Sequence, residues 1–314
     1  MIREIVETIE AYETIIVFRH LEGDGDALGS QWAMFHYLSN KYPNKQVYAV
    51  GDDPVGYESI YPMPHTIDDT LFKGALGIVL DTANHERISD HRYRLCDTLI
   101  KIDHHLPVDN YAQINVVDEH CSSCSEILAN ILKTIEENSV LPYDVARYLY
   151  SGIISDTQGF SISSVTKSTF DTASYLMESK IKPFEISQKL RQIDLKTFQF
   201  QAYVSNKITY VTDNFAYLQI DQSDLVTYKL DVQNVKYLVN IMRSIGNIKV
   251  WALFIETSAQ TYSASIRSHG HNINKVAQRF NGGGHLQASG VKNLKEESKT
   301  QLIQELKDVS EEVL

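Results

Sequence analysis

The chain has 314 residues, 43% hydrophobic and 22% charged, which suffices for two domains with their own cores and is too apolar for a disordered protein. It contains no run of about 18 apolar residues, so a membrane-spanning helix is excluded. The start, MIREIVETIEAYETIIVF, lacks the basic residues and cleavage site of a signal peptide, and a cytoplasmic location is expected. The net charge of −11 comes from 29 basic and 40 acidic residues, which argues against a protein that coats long nucleic acid. An anionic substrate should therefore be small and held by a few local cations, metals included; taken alone, the charge simply favours solubility.

In chain order, TIIVF (14–18), KQVYAV (45–50), LGIVLD (76–81) and TLIKID (98–103) read as buried strands, and residues 27–41, 122–137 and 142–155 as helices. This alternation predicts a doubly wound parallel sheet whose ligands lie beyond the carboxyl ends of its strands. The three cysteines, Cys96, Cys121 and Cys124, include a lone C-x-x-C with no second pair or paired histidine. Ser123 and Glu126 have capping-box spacing ahead of ILANIL, so that segment reads as a helix start. Residues 166–206 read as increasingly polar helix interrupted by Pro183. The expected domains are 1–185 and 209–314, joined by a helical linker over 186–208. Past that linker, ITYVTDNFAYLQID, KVWALFIET and TYSASIRS have near-alternating strand character. NINKVAQRF reads as a helix capped by Asn272 or Asn274, followed by a Gly-Gly-Gly-His turn and a last helix near 295–313.

Four segments carry acids and imidazoles without a packing reason. RHLEGDGDALGS places His20, Asp24 and Asp26 after a strand. At spacing i, i+2 the two acids are expected on one side of an extended loop, with Gly23 and Gly25 letting the backbone bend. LDTAN puts Asp81 at a strand end, IDHHL puts Asp103, His104 and His105 at the next, and SDTQGF puts Asp156 after the apolar helix YLYSGII. A single aspartate after a strand is usually a cap or turn former, but here the acids converge on the edge where a parallel sheet places its site. Carboxylates with a minority of imidazoles suit Mn²⁺ or Mg²⁺. Without metal, converging carboxylates would repel one another and raise their pKa values. Two divalent cations about 3.5–4 Å apart would remove that cost and generate a hydrolytic nucleophile. In the second domain, RFNGGGHLQASG offers glycine amides to an anion, and Arg267 ends a strand where it could clamp a phosphate. Their bland readings are a flexible loop and a surface ion pair.

Together, H-x-x-x-D-x-D-A-x-G-S, D-T-A, D-H-H, S-D-T and R-S…G-G-G-H, in that order across nearly the whole chain, resemble the DHH/DHHA1 phosphoesterases. The nearest likeness is to their stand-alone nanoRNase/pAp-phosphatase branch. The resemblance implies an α/β fold: a doubly wound parallel-sheet domain, then a smaller α/β domain with a mixed sheet. It implies two divalent cations, Mn²⁺ in preference to Mg²⁺. His20 and Asp24 would hold one, Asp26, His104 and Asp156 the other, with Asp81 bridging. The candidate catalytic residues are His105, facing the scissile phosphate, and Asp103, orienting His104 or touching metal itself. Arg267, Gly283, Gly284 and His285 would hold the end of the nucleotide distal to the metals, while His269 and His271 are expected to face solvent. Departures from the family pattern are Gly23 where proline is frequent, Gln158 where glycine is frequent, and Ser289 in place of an alanine, expected to change little.

The implied reaction is hydrolysis of short oligoribonucleotides and linear dinucleotides such as pApA and pGpG to nucleoside 5′-monophosphates, with the 3′-phosphate of pAp as a further target. Long duplex nucleic acid and membranes are not expected partners. A homodimer is compatible with the sequence. A RecJ-like exonuclease would need further nucleic-acid-binding domains, and a family II pyrophosphatase would lack the G-G-G-H segment. A membrane-bound cyclic-dinucleotide phosphodiesterase would carry transmembrane segments, though slow action on cyclic dinucleotides stays open. A non-enzymatic nucleotide-binding regulator should have lost a ligand, yet all six are present.

Overall fold

The four apolar runs do form strands, and a fifth joins them. After a first helix, α1 (Ile2–Ala11), the strands β1 (Thr14–Phe18), β2 (Gln46–Ala49), β3 (Leu76–Leu80), β4 (Thr98–Asp103) and β5 (Ile114–Val117) pair in parallel in the order β2-β1-β3-β4-β5. β5 went unread because INVV is a short, half-buried edge strand with little apolar contrast. This is a computed structural model, and it describes residues 1–313.

The central strands are apolar on both faces because both are covered. On one face α1, α2 (Gly25–Lys41), α3 (Cys124–Ile135) and α4 (Tyr143–Asp156) bury Ile5, Leu28, Trp32, Leu128 and Leu149 against Ile15, Val17, Ile78 and Ile100. On the other, Ile16, Phe18 and Val79 pack beneath Phe72, Ile88 and Tyr93, which come from short 3₁₀ turns and loops rather than long helices. From β1 the chain goes out to β2 and then returns across β1 to β3, so strand order reverses between β1 and β3. The crevice beyond the carboxyl ends of those two strands is where such a sheet binds ligands.

Two further helices, α5 (Lys167–Met177) and α6 (Pro183–Arg191), complete the first unit. Pro183, expected as an interruption, begins α6, where its missing N–H costs nothing. The stretch 186–208 is helical as expected but is no free linker. The two units divide between Gln192 and Ile193, and the next helix, α7 (Leu195–Ser205), buries Phe200 and Val204 in the second unit's core.

That second unit has a six-stranded sheet built from β6 (Thr209–Tyr210), β7 (Phe215–Ile220), β8 (Val250–Ser258), β9 (Thr261–Ser268), β10 (Gly283–His285) and β11 (Ala288–Lys295), ordered β10-β11-β9-β8-β7-β6. β7 and β8 are parallel and the other pairs antiparallel, so the sheet is mixed. Its remaining helices are α8 (Gln222–Tyr228), α9 (Val232–Val235), α10 (Asn274–Arg279) and α11 (Glu296–Ser310). α10 has no side-chain cap; Asn274 instead donates to the Gly284 carbonyl at 2.6 Å, so the asparagine read as a helix cap stitches the glycine turn. No helix among the described residues is long and apolar enough to cross a membrane.

Because Phe200 is fully buried in the second core, Phe200→Ala should destabilise that unit by about 3–5 kcal/mol. Calorimetry should show the loss in one thermal transition, with the transition of the first unit unmoved.

Candidate active site

β1 ends at Phe18 and the chain passes through His20 directly into α2. Asp24 is the N-cap of that helix, its Oδ1 accepting the N–H groups of Asp26 at 3.0 Å and Ala27 at 3.1 Å. Asp26 lies in the first turn. The two acids therefore do not share one side of an extended loop. The helix starts two residues earlier than its pattern suggested, and about 100° of rotation per residue turns them apart. Asp24 joins His20 and Asp81, and Asp26 joins His104 and Asp156. Gly25 is also not a bend: its φ is not positive, and a side chain there would meet Ser155 Oγ at 2.2 Å.

Asp81 follows β3 in the left-handed region, at φ 52°, and is buried. An aspartate tolerates that conformation better than most residues, at a cost on the order of 1–3 kcal/mol. Its Oδ2 lies 3.5 Å from His20 Nε2 and its Oδ1 3.4 Å from His104 Nε2, while His104 Nε2 lies 3.5 Å from Asp156 Oδ2. Donor atoms of His20, Asp24 and Asp81 lie within 4.8 Å of one another, as do those of Asp26, His104 and Asp156; Asp81 also groups with His104 and His105. Asp81 and His104 each belong to two groups. Asp81 and Asp26 are buried at the floor, whereas the Asp24 side chain stays half exposed.

The electrostatics indicate what this cluster lacks. Burial would lower the His20 pKa, but the carboxylates of Asp24 and Asp81 outweigh it and push it to about 10. Burial likewise acts against His104, yet Asp81, Asp156 and Asp26 hold it well above its usual value. Burial raises Asp26 to about 7 and Asp156 well above the carboxylate range. Burial opposes ionisation of Asp81 too, but the imidazoles of His104 and His20 overcome it and keep it charged. Protons thus stand where cations would. His20 Nδ1 lies 2.8 Å from the Leu21 carbonyl, which turns Nε2 toward the acids. Asp81 Oδ1 is buried and accepts no hydrogen bond. Mixed carboxylate and imidazole donors, one orphaned oxygen and inward-turned nitrogens fit divalent cations.

Two surrounding contacts were not foreseen. Asp26 accepts N–H groups from Cys124 at 2.6 Å and Ser125 at 2.9 Å, the first amides of α3. The helix start at Ser123 was readable, but nothing local pairs it with an acid 98 residues away. Asp103 orients His105, not His104: its Oδ1 lies 2.7 Å from His105 Nδ1 and 3.3 Å from the His105 amide. His104 instead turns its Nε2 to Asp81 and Asp156. Neither Cys121 nor Cys124 joins a metal-binding group among the described residues; Cys124 Sγ donates to the Ile102 carbonyl.

In the second unit, register brings the expected residues together. His285 pairs with Ala288 across β10 and β11, and Ala288 with Arg267 across β11 and β9. Directly opposed residues share a face, so Arg267 and His285 flank the small Ala288. Burial and the neighbouring Arg243 lower the Arg267 pKa, and Arg267 forms no ion pair among the described residues. A partly buried guanidinium in that state favours an anion. Gly284, at φ 134°, lies so close to β11 that a side chain would meet the Ala288 carbonyl at 2.4 Å. Ser289 changes more than expected, since its hydroxyl donates to the His285 carbonyl at 2.9 Å and receives Asn274 at 3.2 Å. Of the two further histidines, His269 is exposed, but His271 is buried, with its ring nitrogens beside the His269 and Glu312 carbonyls.

The N-terminal domain of the DHH family matches residues 14–153, and the DHHA1 domain matches 213–312. A probable bifunctional oligoribonuclease and PAP phosphatase NrnA of Streptococcus mutans is 34% identical over 98% of each chain. The chain belongs to the DHH family. A second DHH relative, the bifunctional oligoribonuclease and PAP phosphatase NrnA of Bacillus subtilis, is 33% identical over 92% of each chain. An exopolyphosphatase-related protein from Bacteroides fragilis shares the fold with a TM-score of 0.88 at 24% identity, covering 99% of this chain and 97% of its own.

In this DHH protein, cation binding must displace protons, because His20 at about 10 and Asp26 at about 7 carry them near neutrality. Both shifts are upward, so apparent Mn²⁺ affinity should rise with pH from about 6 to 10. Titration calorimetry at pH 7 in buffers of differing ionisation enthalpy should detect protons released on binding.

Proposed function

We propose that this chain is a two-metal phosphoesterase that hydrolyses short oligoribonucleotides and linear dinucleotides such as pApA and pGpG to nucleoside 5′-monophosphates, and removes the 3′-phosphate of pAp. The observation that carries this reading is the overlap of donor groups through Asp81 and His104, which suits two adjacent cations. His20 and Asp24 would hold one cation, Asp26, His104 and Asp156 the other, with Asp81 between. Mn²⁺ is the preferred ion, since imidazoles accompany the carboxylates. Held there, divalent cations would supply neutralisation of phosphate charge and activation of water for attack on phosphorus. The remaining work belongs to the chain. Asp103 holds His105 through Nδ1, so that Nε2 is the nitrogen offered to the scissile phosphate or its leaving group. Arg267, His285 and the amides of Gly283 and Gly284 would bind a phosphate or sugar, and the small Ala288 leaves room between Arg267 and His285. The oligoribonuclease and PAP phosphatase activities for which both NrnA relatives are named support this substrate class, and a cytoplasmic setting would supply it.

A product time course with pApA, pAp, a five-nucleotide RNA and cyclic di-AMP tests the reading. With Mn²⁺, mononucleotides should accumulate from pApA and the short RNA, AMP from pAp, and little from the cyclic compound. Excess chelator should stop every reaction, and full turnover in its presence would overturn the metal assignment.

Arg267→Ala should lower kcat/KM on pApA about 10–100-fold, the loss of one charge-assisted contact. Hydrolysis of bis-p-nitrophenyl phosphate, which has no second phosphate to hold, should be nearly unchanged. Equal losses on both substrates would show that Arg267 supports folding or the metal site instead.

A further inference from the structure

Lys101 lies one alternate position below Asp103 on β4, and its side chain is completely buried. No lysine is placed there without compensation, because an ammonium removed from water needs acceptors for all its N–H groups. Lys101 Nζ donates to the carbonyls of Ala83 at 2.8 Å and Asp109 at 3.1 Å, and lies 5.0 Å from the centre of the Tyr111 ring. Those carbonyls belong to the segments that follow β3 and β4. Lys101 Nζ also forms an ion pair with Asp103, whose Oδ2 is 3.3 Å away and accepts no hydrogen bond. The other oxygen of the same carboxylate, Oδ1, meets His105 Nδ1 at 2.7 Å.

We propose that Lys101 and Asp103 form a buried positioning pair that fixes the His105 ring with its proton on Nδ1 and Nε2 as its working nitrogen. Lys101 is locked by two backbone carbonyls, so its charge stands fixed against one oxygen of the Asp103 carboxylate and leaves the other to His105. That carboxylate in turn sets both the angle and the tautomer of the imidazole. Lys101 touches neither substrate nor the groups that would hold metal; it acts through Asp103. The kinetic consequence rests on the phosphoesterase reading above, whereas the structural consequence does not.

Lys101→Met keeps the length and removes the charge. With pApA and Mn²⁺ it should lower kcat about 10–100-fold, as loss of a ligand-orienting partner does, with KM and Mn²⁺ affinity by calorimetry each within about threefold. In a His105→Ala background the same substitution should change kcat less than about twofold, because the residue it positions is gone. An unchanged kcat in Lys101→Met, a full loss repeated without His105, or a matching fall in Mn²⁺ affinity would overturn the proposal. A second measurement needs neither a variant nor activity. Histidine ¹⁵N spectra of the wild-type protein loaded with diamagnetic Mg²⁺ should show His105 protonated at Nδ1, with a Lys101 ammonium signal protected from solvent exchange. A His105 ring unprotonated at Nδ1 overturns the proposal even if Lys101→Met does not fold or no substrate is turned over.

Discussion

The rest of the first unit depends on the convergence of four carboxylates, Asp24, Asp26, Asp81 and Asp156, in one crevice with His20 and His104. Such a cluster is costly unless positive charge enters it. The fold supplies part of that charge. The N-terminus of α2 gives two amides to Asp24, and the N-terminus of α3 gives two to Asp26. Both helix ends carry partial positive charge toward the acids. Asp156 has the opposite placement, at the carboxyl end of α4, where the helix adds negative potential. It is one of the groups whose pKa rises most plainly, and burial is the leading cause. The amides hold the acids in place but do not balance them, and the remaining deficit is what divalent cations would fill.

Topology makes the convergence achievable. Because strand order reverses between β1 and β3, the segments leaving them diverge and open a crevice where His20 and Asp81 meet. The next strand out, β4, delivers Asp103, His104 and His105 to the same edge. Asp81 must turn its carboxylate toward two histidines at once, and the left-handed backbone at φ 52° achieves that turn. Gln158, in the loop beside Asp156, likewise occupies at φ 50° a conformation natural to glycine, at the expense of local strain.

What could be read beforehand followed physical range. Strands β1 to β4 were legible because each is a continuous apolar run buried on both faces. The acids were legible because they end those runs. Contacts across long sequence distance were not. Nothing near Asp26 announces the amides of Cys124 and Ser125, and nothing near Asp103 shows whether it serves His104 or His105. Lys101 was hidden for a sharper reason: a lysine inside TLIKID breaks an apolar pattern and invites reading as a surface residue, while its acceptors lie on two different loops. The stretch expected as a linker contains α7, whose Phe200 and Val204, four residues apart, share one buried stripe.

The two units differ in the sign of what they lack. The first gathers acids around a space that calls for cations. The second holds Arg267 partly buried, outside any ion pair among the described residues, beside Arg243 and across Ala288 from His285. That arrangement calls for an anion. Phosphate oxygens would suit the cations that the first unit calls for, and an anion the guanidinium of the second. A long polyanion would encounter a chain of net charge −11. Each added phosphate outside the two sites would raise the electrostatic cost of binding at low salt. The net charge therefore favours an anionic ligand with few phosphates.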